Sequence, residues 1–296
     1  MAEPSSPSIA DPGAAGPLAS PDAPPSAGDG GGEEAARITE IWRTVLTGDD
    51  KGLPRLRRIW GAIPSSPRCK LCAAPFRGPG RIVTRVMMHG PSQVNPLLCN
   101  ACFGQIRKIP GGAELDISVL FAYIRGSTGL AERTSAGAFR QLVEQFYLRA
   151  AKAIEDNDGV IDKFLGDGIM ALFIPVIAGP HHADRAIVAG EAVLRAVADR
   201  PLVEGGVRVG VGVATGEAFV GAIGARDRLD FTALGDTVNV AARLGGEAGA
   251  GELLVSRRAW TEAGRTDAVV PRTLPVRGRS EAIEVIVLGS PPAVVA

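Results

Sequence analysis

Apolar and polar residues alternate along two short segments near the middle of the chain, and this alternation predicts a β-hairpin. The two segments are Val160–Leu165 and Ile169–Phe173. The Gly166-Asp167 pair between them suits a tight turn. The turn lifts the Asp167 carboxylate to the tip of the hairpin, where it can hold a cation.

The first strand of this hairpin carries a lysine close to that carboxylate. Side chains alternate along a strand, so Lys163 shares one face with Ile161 and Leu165, and Asp162 faces the other way. An ammonium group and a cation-holding carboxylate suit an anionic ligand that brings its own metal, such as a nucleoside triphosphate. An ordinary hairpin with a surface Lys-Asp pair has the same local pattern.

Other segments repeat with the helical period of 3.6 residues. Asp236 is a suitable N-cap for a further helix over Thr237–Leu244. His181 and His182 have no partner at metal-ligand spacing, so both are expected to face solvent. The periodic segments are Arg37–Leu46, the segment that follows the turn at Arg125–Thr128 and runs through Ala150, and His181–Val197.

The remaining strands differ in how their two faces are filled. Ile117–Ile124 is apolar on both faces, which is typical of a central, buried strand. In 207–213, valine alternates with Gly210 and Gly212, so one face is bare and invites close approach by a helix or a partner chain. A turn at 215–217 is expected to lead into a strand at 218–223. Two late strands are predicted at Glu252–Val255 and Ile283–Leu288, with a short helix between them.

Length and composition indicate two structured units. The 296 residues are 46% apolar and 22% charged, which is ordinary for a globular protein. Residues 1–36 are mostly Pro, Ala, Gly and Ser and are predicted to be disordered. No apolar run reaches membrane-spanning length and no signal pattern is present, so a cytoplasmic protein without a membrane partner is expected. The predicted units are a basic helical and cysteine-rich module at 37–112 and a larger domain at 113–290.

The charge is divided unevenly between these units. Residues 51–110 contain eleven Lys or Arg and no Asp or Glu, whereas the rest of the chain has 21 basic and 32 acidic residues. The basic segment could bind nucleic acid. It could also dock on the acidic remainder of this chain or of a partner. Docking is favoured and nucleic acid disfavoured, because the segment lacks interleaved exposed aromatic residues and a recognisable reading helix.

All four cysteines lie in the basic module as two matched pairs. Cys69 and Cys72 are separated by two residues, as are Cys99 and Cys102, with 26 residues between the pairs. This spacing is typical of a structural zinc site with four thiolate ligands. A cysteine-ligated iron–sulfur cluster is the chemical alternative. The module is therefore described as zinc-ribbon-like.

Four stretches in order resemble the motifs of class III adenylate/guanylate cyclases, and the resemblance covers Glu114–Leu288. It implies an α/β (α+β) fold, a ferredoxin-like cyclase domain with a mixed sheet and flanking helices. It also implies conversion of ATP to cyclic AMP and pyrophosphate in intracellular signalling, in a site between two head-to-tail chains. The four stretches are Ser118–Thr128, Gly159–Phe173, Val207–Ile223 and Asp230–Leu244.

The resemblance also assigns roles to individual residues. Asp167 would hold Mg²⁺ or Mn²⁺, and Lys163 and Thr232 would read the base; a Lys/Thr pair resembles the adenylate-cyclase subclass and favours ATP over GTP. Asn239 would orient the ribose and Arg243 would contact phosphate. The turn into the following helix would offer backbone N–H groups to phosphate; its residues are Gly126, Ser127 and Thr128.

One position departs from the family pattern. Where the family has Phe-x-Asp-Ile, this chain has Tyr123 in place of the second metal-binding aspartate. A neutral phenol is a poor magnesium ligand and is bulkier than Asp. Neither Asp162 nor Asp116 is an obvious replacement on the predicted strands.

Three hypotheses follow from this departure. The first is an adenylate cyclase with impaired or unusual metal dependence, active as a homodimer. The second is a catalytically silent homologue that binds nucleotide or completes a heterodimer with another cyclase chain. The third is a zinc-dependent nucleic-acid-binding regulator that uses residues 51–110.

Overall fold

The computed structural model describes residues 29–65, 67–199, 207–225, 228–266, 269, 271–274 and 282–289. Most of the segment predicted to be disordered, residues 1–28, lies outside them. Helix α1 covers Asp29–Thr47 and begins earlier than the predicted Arg37. Residues 29–36 are therefore helical and the prediction of disorder is wrong there. The Glu34–Arg37 ion pair, with side chains one helical turn apart, stabilises this first part of α1.

The basic module contains three more short helices and two loops that carry the cysteines. The helices are α2 Gly52–Gly61, α3 Gly80–Val86 and α4 Asn100–Lys108. Isolated β-bridges join Arg68 to Pro75 and Pro91 to Cys99. These bridges fold each cysteine loop back on itself.

The larger domain is built on a mixed eight-stranded sheet with the order β2-β3-β1-β4-β6-β8-β7, and β5 pairs with β4 outside this path. Strands β4 and β6 run parallel and the other neighbours run antiparallel. The strands are β1 Gly112–Ile124, β2 Val160–Phe164, β3 Gly168–Phe173, β4 Val209–Ala225, β5 Arg228–Leu234, β6 Leu253–Ser256, β7 Pro271–Leu274 and β8 Ile283–Leu288.

Among the residues that the structure describes, six helices flank this sheet. The segment after Gly126 is not one helix as predicted, because α5 ends at Arg133 and the extended Thr134 precedes the new N-cap Ser135. In the described part of the chain no helix is long and apolar enough to cross a membrane. The helices are α5 Ser127–Arg133, α6 Ala136–Glu155, α7 Pro175–Ala178, α8 His182–Ala198, α9 Asp236–Glu247 and α10 Arg257–Glu262.

The sheet has an apolar layer on each face, and β1 contributes alternately to both. Leu120 and Ala122 pack in the cluster that contains Phe146 of α6 and Ile187 of α8. Phe121 belongs to the opposite cluster, which also contains the cysteine module and α9. The prediction of a central strand buried on both faces is confirmed.

Strand β4 is continuous through the predicted turn at 215–217. Thr215 and Gly216 pair with Ser118 and Ile117 of β1 without a break in register. The predicted turn is wrong because β1 is long enough to pair with β4 from Gly112 to Ile124. This pairing satisfies the backbone groups that a turn would have removed from the ladder.

The bare face of β4 admits the backbone of α9, as the glycines predicted. A Cβ atom on Gly212 would lie 2.1 Å from the backbone nitrogen of Gly245, far inside van der Waals contact. Val240, Ala241 and Leu244 of α9 are buried against this face. The close approach fixes the helix whose outer side carries Asn239 and Arg243.

His182 is buried, contrary to the prediction that it faces solvent. Its Nδ1 lies 2.9 Å from the Ser118 hydroxyl, which in turn lies 2.6 Å from the hydroxyl of Thr215. Burial lowers the pKa of His182 below its ordinary value. The period of α8 turns this first residue inward, whereas His181, just before the helix, is exposed.

Candidate functional site

The tip of the β2–β3 hairpin holds Asp167 in a network of hydrogen bonds. The Ile124 amide donates to the Asp167 carbonyl at 2.9 Å, and the Ser127 hydroxyl donates to the carboxylate Oδ2. Tyr147 of α6 donates its hydroxyl to the Gly166 carbonyl at 2.5 Å. Gly166 has φ 71°, a conformation that favours glycine. The predicted hairpin is confirmed, and Asp167 lies beside the start of α5.

Tyr123 occupies the strand position next to this tip. It pairs with Gly168, and a Cβ atom on Gly168 would lie 2.4 Å from the Tyr123 ring. The ring stacks on Phe121 with centroids 6.0 Å apart. Burial, and then the nearby charge of Asp167, raise the pKa of the Tyr123 phenol. The phenol is therefore neutral at pH 7 and offers no charge to a cation.

Two acidic residues on the neighbouring strands, Asp116 and Asp162, are held by basic side chains of this chain. Asp116 is held by Arg258 at 2.6 Å at the far part of β1. Asp162 is buried and does not face away from Lys163 as predicted, because a bulge between Ile161 and Lys163 shifts the register of β2. The Lys163 ammonium lies 3.2 Å from Asp162 Oδ2.

Thr232 of β5 is joined to this lysine through Asp162. The Thr232 hydroxyl donates to Asp162 Oδ2 at 2.7 Å. The structure thus brings Lys163 and Thr232 to one carboxylate, although they lie on different strands. Thr232 is only 5% exposed, whereas the Lys163 side chain is 40% exposed.

The cysteine module contributes two side chains to the same place, and sequence reasoning missed both. The Lys70 ammonium donates to the Asp162 carbonyl at 2.5 Å and lies 3.4 Å from its Oδ1. Asn95 donates to Asp230 Oδ1 at 2.8 Å. No spacing or motif in the sequence links these positions, because the contact spans more than ninety residues.

Asn239 and Arg243 lie one turn apart on the exposed side of α9, as their spacing predicts. Asp236 is not the N-cap: the cap is Gly235 at φ 142°, and Asp236 is the first helical residue. Thr237 instead fixes the start of α9 by donating its hydroxyl to the Glu217 carbonyl at 2.7 Å. The strand-to-helix turn needs glycine at this φ, which displaces the predicted cap by one position.

Arg125 braces the end of α9 against the β1 strand. Its two terminal nitrogens donate to the carbonyls of Gly245 and Gly246, each at 2.6 Å. Its guanidinium also lies 5.9 Å from the centre of the Tyr123 ring. Burial lowers the pKa of Arg125. Arg125 thus links the position of Tyr123 to the helix that carries Asn239 and Arg243.

The four cysteine sulfur atoms converge in the basic module. They all lie within 4.8 Å of one another, and Cys72 and Cys99 are 3.6 Å apart. Four thiolates around zinc at about 2.3 Å would lie about 3.8 Å apart, so the set fits one tetrahedral ion. The Cys102 amide donates to the Cys99 sulfur at 3.4 Å and the Cys99 amide to Cys69 at 3.3 Å. The cysteines are therefore positioned to bind a metal.

Basic residues close to the cysteines turn inward. Arg57 donates to the carbonyls of Lys70 and Leu71 at 3.1 and 2.6 Å. Arg68 donates to the carbonyls of Trp60 and Ala73 at 2.9 and 3.0 Å. Hydrogen bonds from the neighbouring thiols, that of Cys102 first, lower the pKa of Cys99. These contacts occupy part of the basic segment inside the module itself and do not reach the acidic remainder of the chain.

The comparison with known families agrees with this fold and these motifs. The model of the adenylate and guanylate cyclase catalytic domain matches residues 112–288, which is more than half of the chain. The chain therefore belongs to the adenylate and guanylate cyclase catalytic domain family. The cysteine module lies outside the matched region.

The chain is similar to uncharacterized curated proteins and to solved structures of both guanylyl and adenylyl cyclases. Uncharacterized proteins of Mycobacterium tuberculosis and Mycobacterium bovis are 36% identical over 135 residues, which is 45% of this chain and 24% of theirs. The chain thus matches about a quarter of the length of these relatives. The guanylyl cyclase Cya2 is 25% identical with a TM-score of 0.56, covering 62% of this chain and 98% of Cya2. The adenylyl cyclase CyaB from P. aeruginosa is 29% identical with a TM-score of 0.54, covering 61% of this chain and 97% of CyaB.

Proposed function

We propose that this chain is an adenylate-cyclase-type domain that binds ATP and converts it to cyclic AMP and pyrophosphate with impaired metal dependence. The observation that carries the proposal is the presence of Lys163, Asp167, Thr232, Asn239 and Arg243 at the family's motif positions in a domain matched over 112–288. The family includes both adenylyl and guanylyl cyclases. The Lys163–Thr232 pair supports ATP as the substrate.

In the proposed reaction the ribose 3′ oxygen attacks the α-phosphorus of ATP. A 3′-O–P bond forms, the bond to pyrophosphate breaks, and the 3′-hydroxyl proton is lost to water. Asn239 orients the ribose and Arg243 neutralises charge on the crowded phosphorus. Both side chains are exposed on α9, and their partner groups would come from a second cyclase chain. The second chain would be another copy or a different cyclase.

The divalent cation, Mg²⁺ or Mn²⁺, would be held by Asp167. It supplies Lewis acidity at the phosphate oxygens when bound. One carboxylate fits one cation that the nucleotide phosphates also ligate. A two-cation arrangement lacks its second carboxylate, because Tyr123 fills that position. Gly126, Ser127 and Thr128 lie beside Asp167 and would contact phosphate through backbone N–H groups.

Binding of nucleotide tests the substrate assignment. We expect the full chain to bind ATP more tightly than GTP by isothermal titration calorimetry with Mg²⁺. Replacing Arg243 by Ala should weaken ATP binding roughly tenfold or more, because a charge-assisted contact is lost. Arg195, exposed on α8 at the other face of the sheet, provides the control variant Arg195→Ala. Equal affinity for ATP and GTP, or no effect of Arg243→Ala, would argue against the assignment.

A catalytically silent homologue is the second candidate, and Tyr123 favours it. In that case the chain binds ATP and lends Lys163, Asn239 and Arg243 to a partner that has both aspartates. Activity should then arise only after mixing with such a partner. Cyclic AMP formation by the purified native chain alone would exclude this second candidate.

We further propose that the four cysteines bind one structural zinc ion. The compact sulfur set supports a single ion, since an iron–sulfur cluster inserts several atoms between its cysteines and needs a wider cage. Elemental analysis of the purified chain tests this assignment. Zinc at one ion per chain is the expected result, and iron with acid-labile sulfide would contradict it.

A further inference from the structure

The cysteine module and the sheet meet at one buried polar cluster. The Lys70 ammonium contacts the carbonyl and Oδ1 of Asp162 at 2.5 and 3.4 Å and lies 3.8 Å from Asp230 Oδ1. Asn95 donates to the same Asp230 oxygen, and Thr232 donates to Asp162 Oδ2. We call these five residues the Lys70 cluster: Lys70 and Asn95 from the module, and Asp162, Asp230 and Thr232 from the sheet.

The Lys70 cluster is closed to water at its centre. Lys70 is 6% exposed, Asp162 1% and Thr232 5%. Next to it along β5, Phe231 is buried and stacks on Trp42 of α1 with 6.1 Å between the ring centres. Thr232, one of the two residues that would read the base of a nucleotide, is therefore inaccessible while the module is docked.

Charge explains why Lys70 matters for this docking. The two carboxylates of the cluster, Asp162 and Asp230, form an acidic pocket on the sheet that receives the ammonium. The other cation at the pocket is Lys163, 3.2 Å from Asp162 Oδ2 and partly exposed. Removing Lys70 from the docked form would leave Asp162 with the Thr232 hydroxyl and the partly exposed Lys163 ammonium. A buried carboxylate that has lost a cation favours an arrangement that admits water.

The four cysteines fix where Lys70 lies. Lys70 follows Cys69 directly and precedes Cys72 by two residues, so it belongs to the first cysteine loop. Its amide donates to the Leu97 carbonyl at 2.9 Å and its carbonyl accepts from Arg57. Leu97 lies just before the second pair, Cys99 and Cys102. Metal binding that joins the two pairs therefore also orders the loop that presents Lys70.

We propose that the cysteine module and the nucleotide base compete for the Asp162–Thr232 surface, with Lys70 as the contact that holds the module in place. This inference rests on the proposed nucleotide-binding function. Metal at the cysteines favours the covered form, and loss of the metal favours the form that exposes Thr232. The affinity of the native chain for nucleotide is lowered by the fraction of molecules that are covered.

Two substitutions in the full chain test the competition. Lys70→Met removes the ammonium and keeps the length of the side chain, and Asn95→Ala removes the milder contact with Asp230. The control is Lys108→Met, an exposed lysine at the end of α4 in the same module. Metal content and circular dichroism establish that each variant is folded.

Two measurements are made on each variant. Hydrogen–deuterium exchange over β2 and β5 reports whether the Asp162–Thr232 surface is uncovered. Equilibrium titration with a fluorescent ATP analogue and Mg²⁺ reports the affinity of each variant for that analogue. We expect faster exchange at both strands and affinity raised roughly tenfold or more in Lys70→Met, a smaller rise in Asn95→Ala, and native values in Lys108→Met. Removal of the cysteine-bound metal by a chelator, followed by exchange into chelator-free buffer with Mg²⁺, should raise the affinity of the native chain for the analogue and leave that of Lys70→Met unchanged.

The outcomes separate this inference from the function on which it rests. Unchanged exchange at β2 and β5 in folded Lys70→Met would overturn the inference, whatever the affinity of that variant for the ATP analogue. Faster exchange together with unchanged or lower affinity would also overturn the competition. If exchange at β2 and β5 is faster in Lys70→Met but neither the native chain nor any variant binds the analogue, the module still covers the Asp162–Thr232 surface. That result would overturn the proposed function instead.

Discussion

The ring of Tyr123 lies against Gly168, the residue that follows Asp167 at the tip of the β2–β3 hairpin. A phenol thus fills the strand position beside Asp167, the carboxylate that we propose holds the cation. The contact also explains the glycine, since any Cβ atom at position 168 would meet the ring. The tyrosine at position 123 and the glycine at position 168 are therefore one structural feature of the hairpin.

The close approach of α9 to β4 predicts a strong effect of one methyl group. Gly212→Ala would push the new Cβ atom against the backbone of Leu244 and Gly245, and no side-chain movement can relieve a clash with backbone. We expect a loss of about 2–4 kcal/mol in the free energy of unfolding, measured by urea denaturation.

Gly137→Ala is the matched control for that substitution. A Cβ atom on Gly137 meets no atom within 4 Å, and the residue lies in the first turn of α6. Stability should rise by about 0.5–1 kcal/mol because alanine has the better helix propensity. If both glycine substitutions had equal effects, the close approach of α9 would be wrong.

The buried His182 predicts acid sensitivity. Its pKa is lowered in the folded state, so the unfolded chain binds the proton more readily. Stability should therefore fall as the pH drops through about 6.5, with a slope of up to about 1.4 kcal/mol per pH unit from this residue. Urea denaturation between pH 7.5 and 5 measures the slope. His182→Asn should reduce it, and His181→Asn at the exposed neighbour should not.

The cysteine site predicts that the module depends on metal for its stability. Cys99→Ser removes the sulfur that accepts the Cys102 amide, and a three-thiolate site holds zinc less tightly. We expect loss of bound metal and a lower thermal midpoint. After chelation of the native chain, readdition of zinc should restore its thermal midpoint, whereas readdition of magnesium should not. A chelated chain that keeps its thermal midpoint would contradict a structural role for the metal.

Much of the sheet domain follows from local patterns in the sequence. Each end of the two hairpin strands around Gly166 lies within one residue of its predicted position. The prediction succeeds because the two-residue alternation of the strands and the glycine in the turn are both visible in the sequence. The bare face of β4 correctly predicted close approach of another backbone. Such features depend on neighbouring residues, so the sequence displays them directly.

The errors arise where a distant segment decides the local structure. A bulge in β2 turned Asp162 toward Lys163 and Thr232, which strand alternation could not foresee. Long pairing with β1 kept β4 straight through 215–217. Lys70 contacts Asp162, which lies ninety-two positions later in the sequence. Alternation and helical period contain no information about these partners.

Cyclic AMP formation by the Tyr123→Asp variant tests the central claim most directly. The native chain, Tyr123→Asp and the control Tyr123→Phe would be compared with saturating ATP in Mg²⁺ and in Mn²⁺. Restoring the second carboxylate should raise the rate by about 10²–10⁴-fold and make it depend on divalent cation, because the metal then gains its missing ligand. Tyr123→Phe should remain at the native rate. A native rate equal to that of Tyr123→Asp would contradict the account.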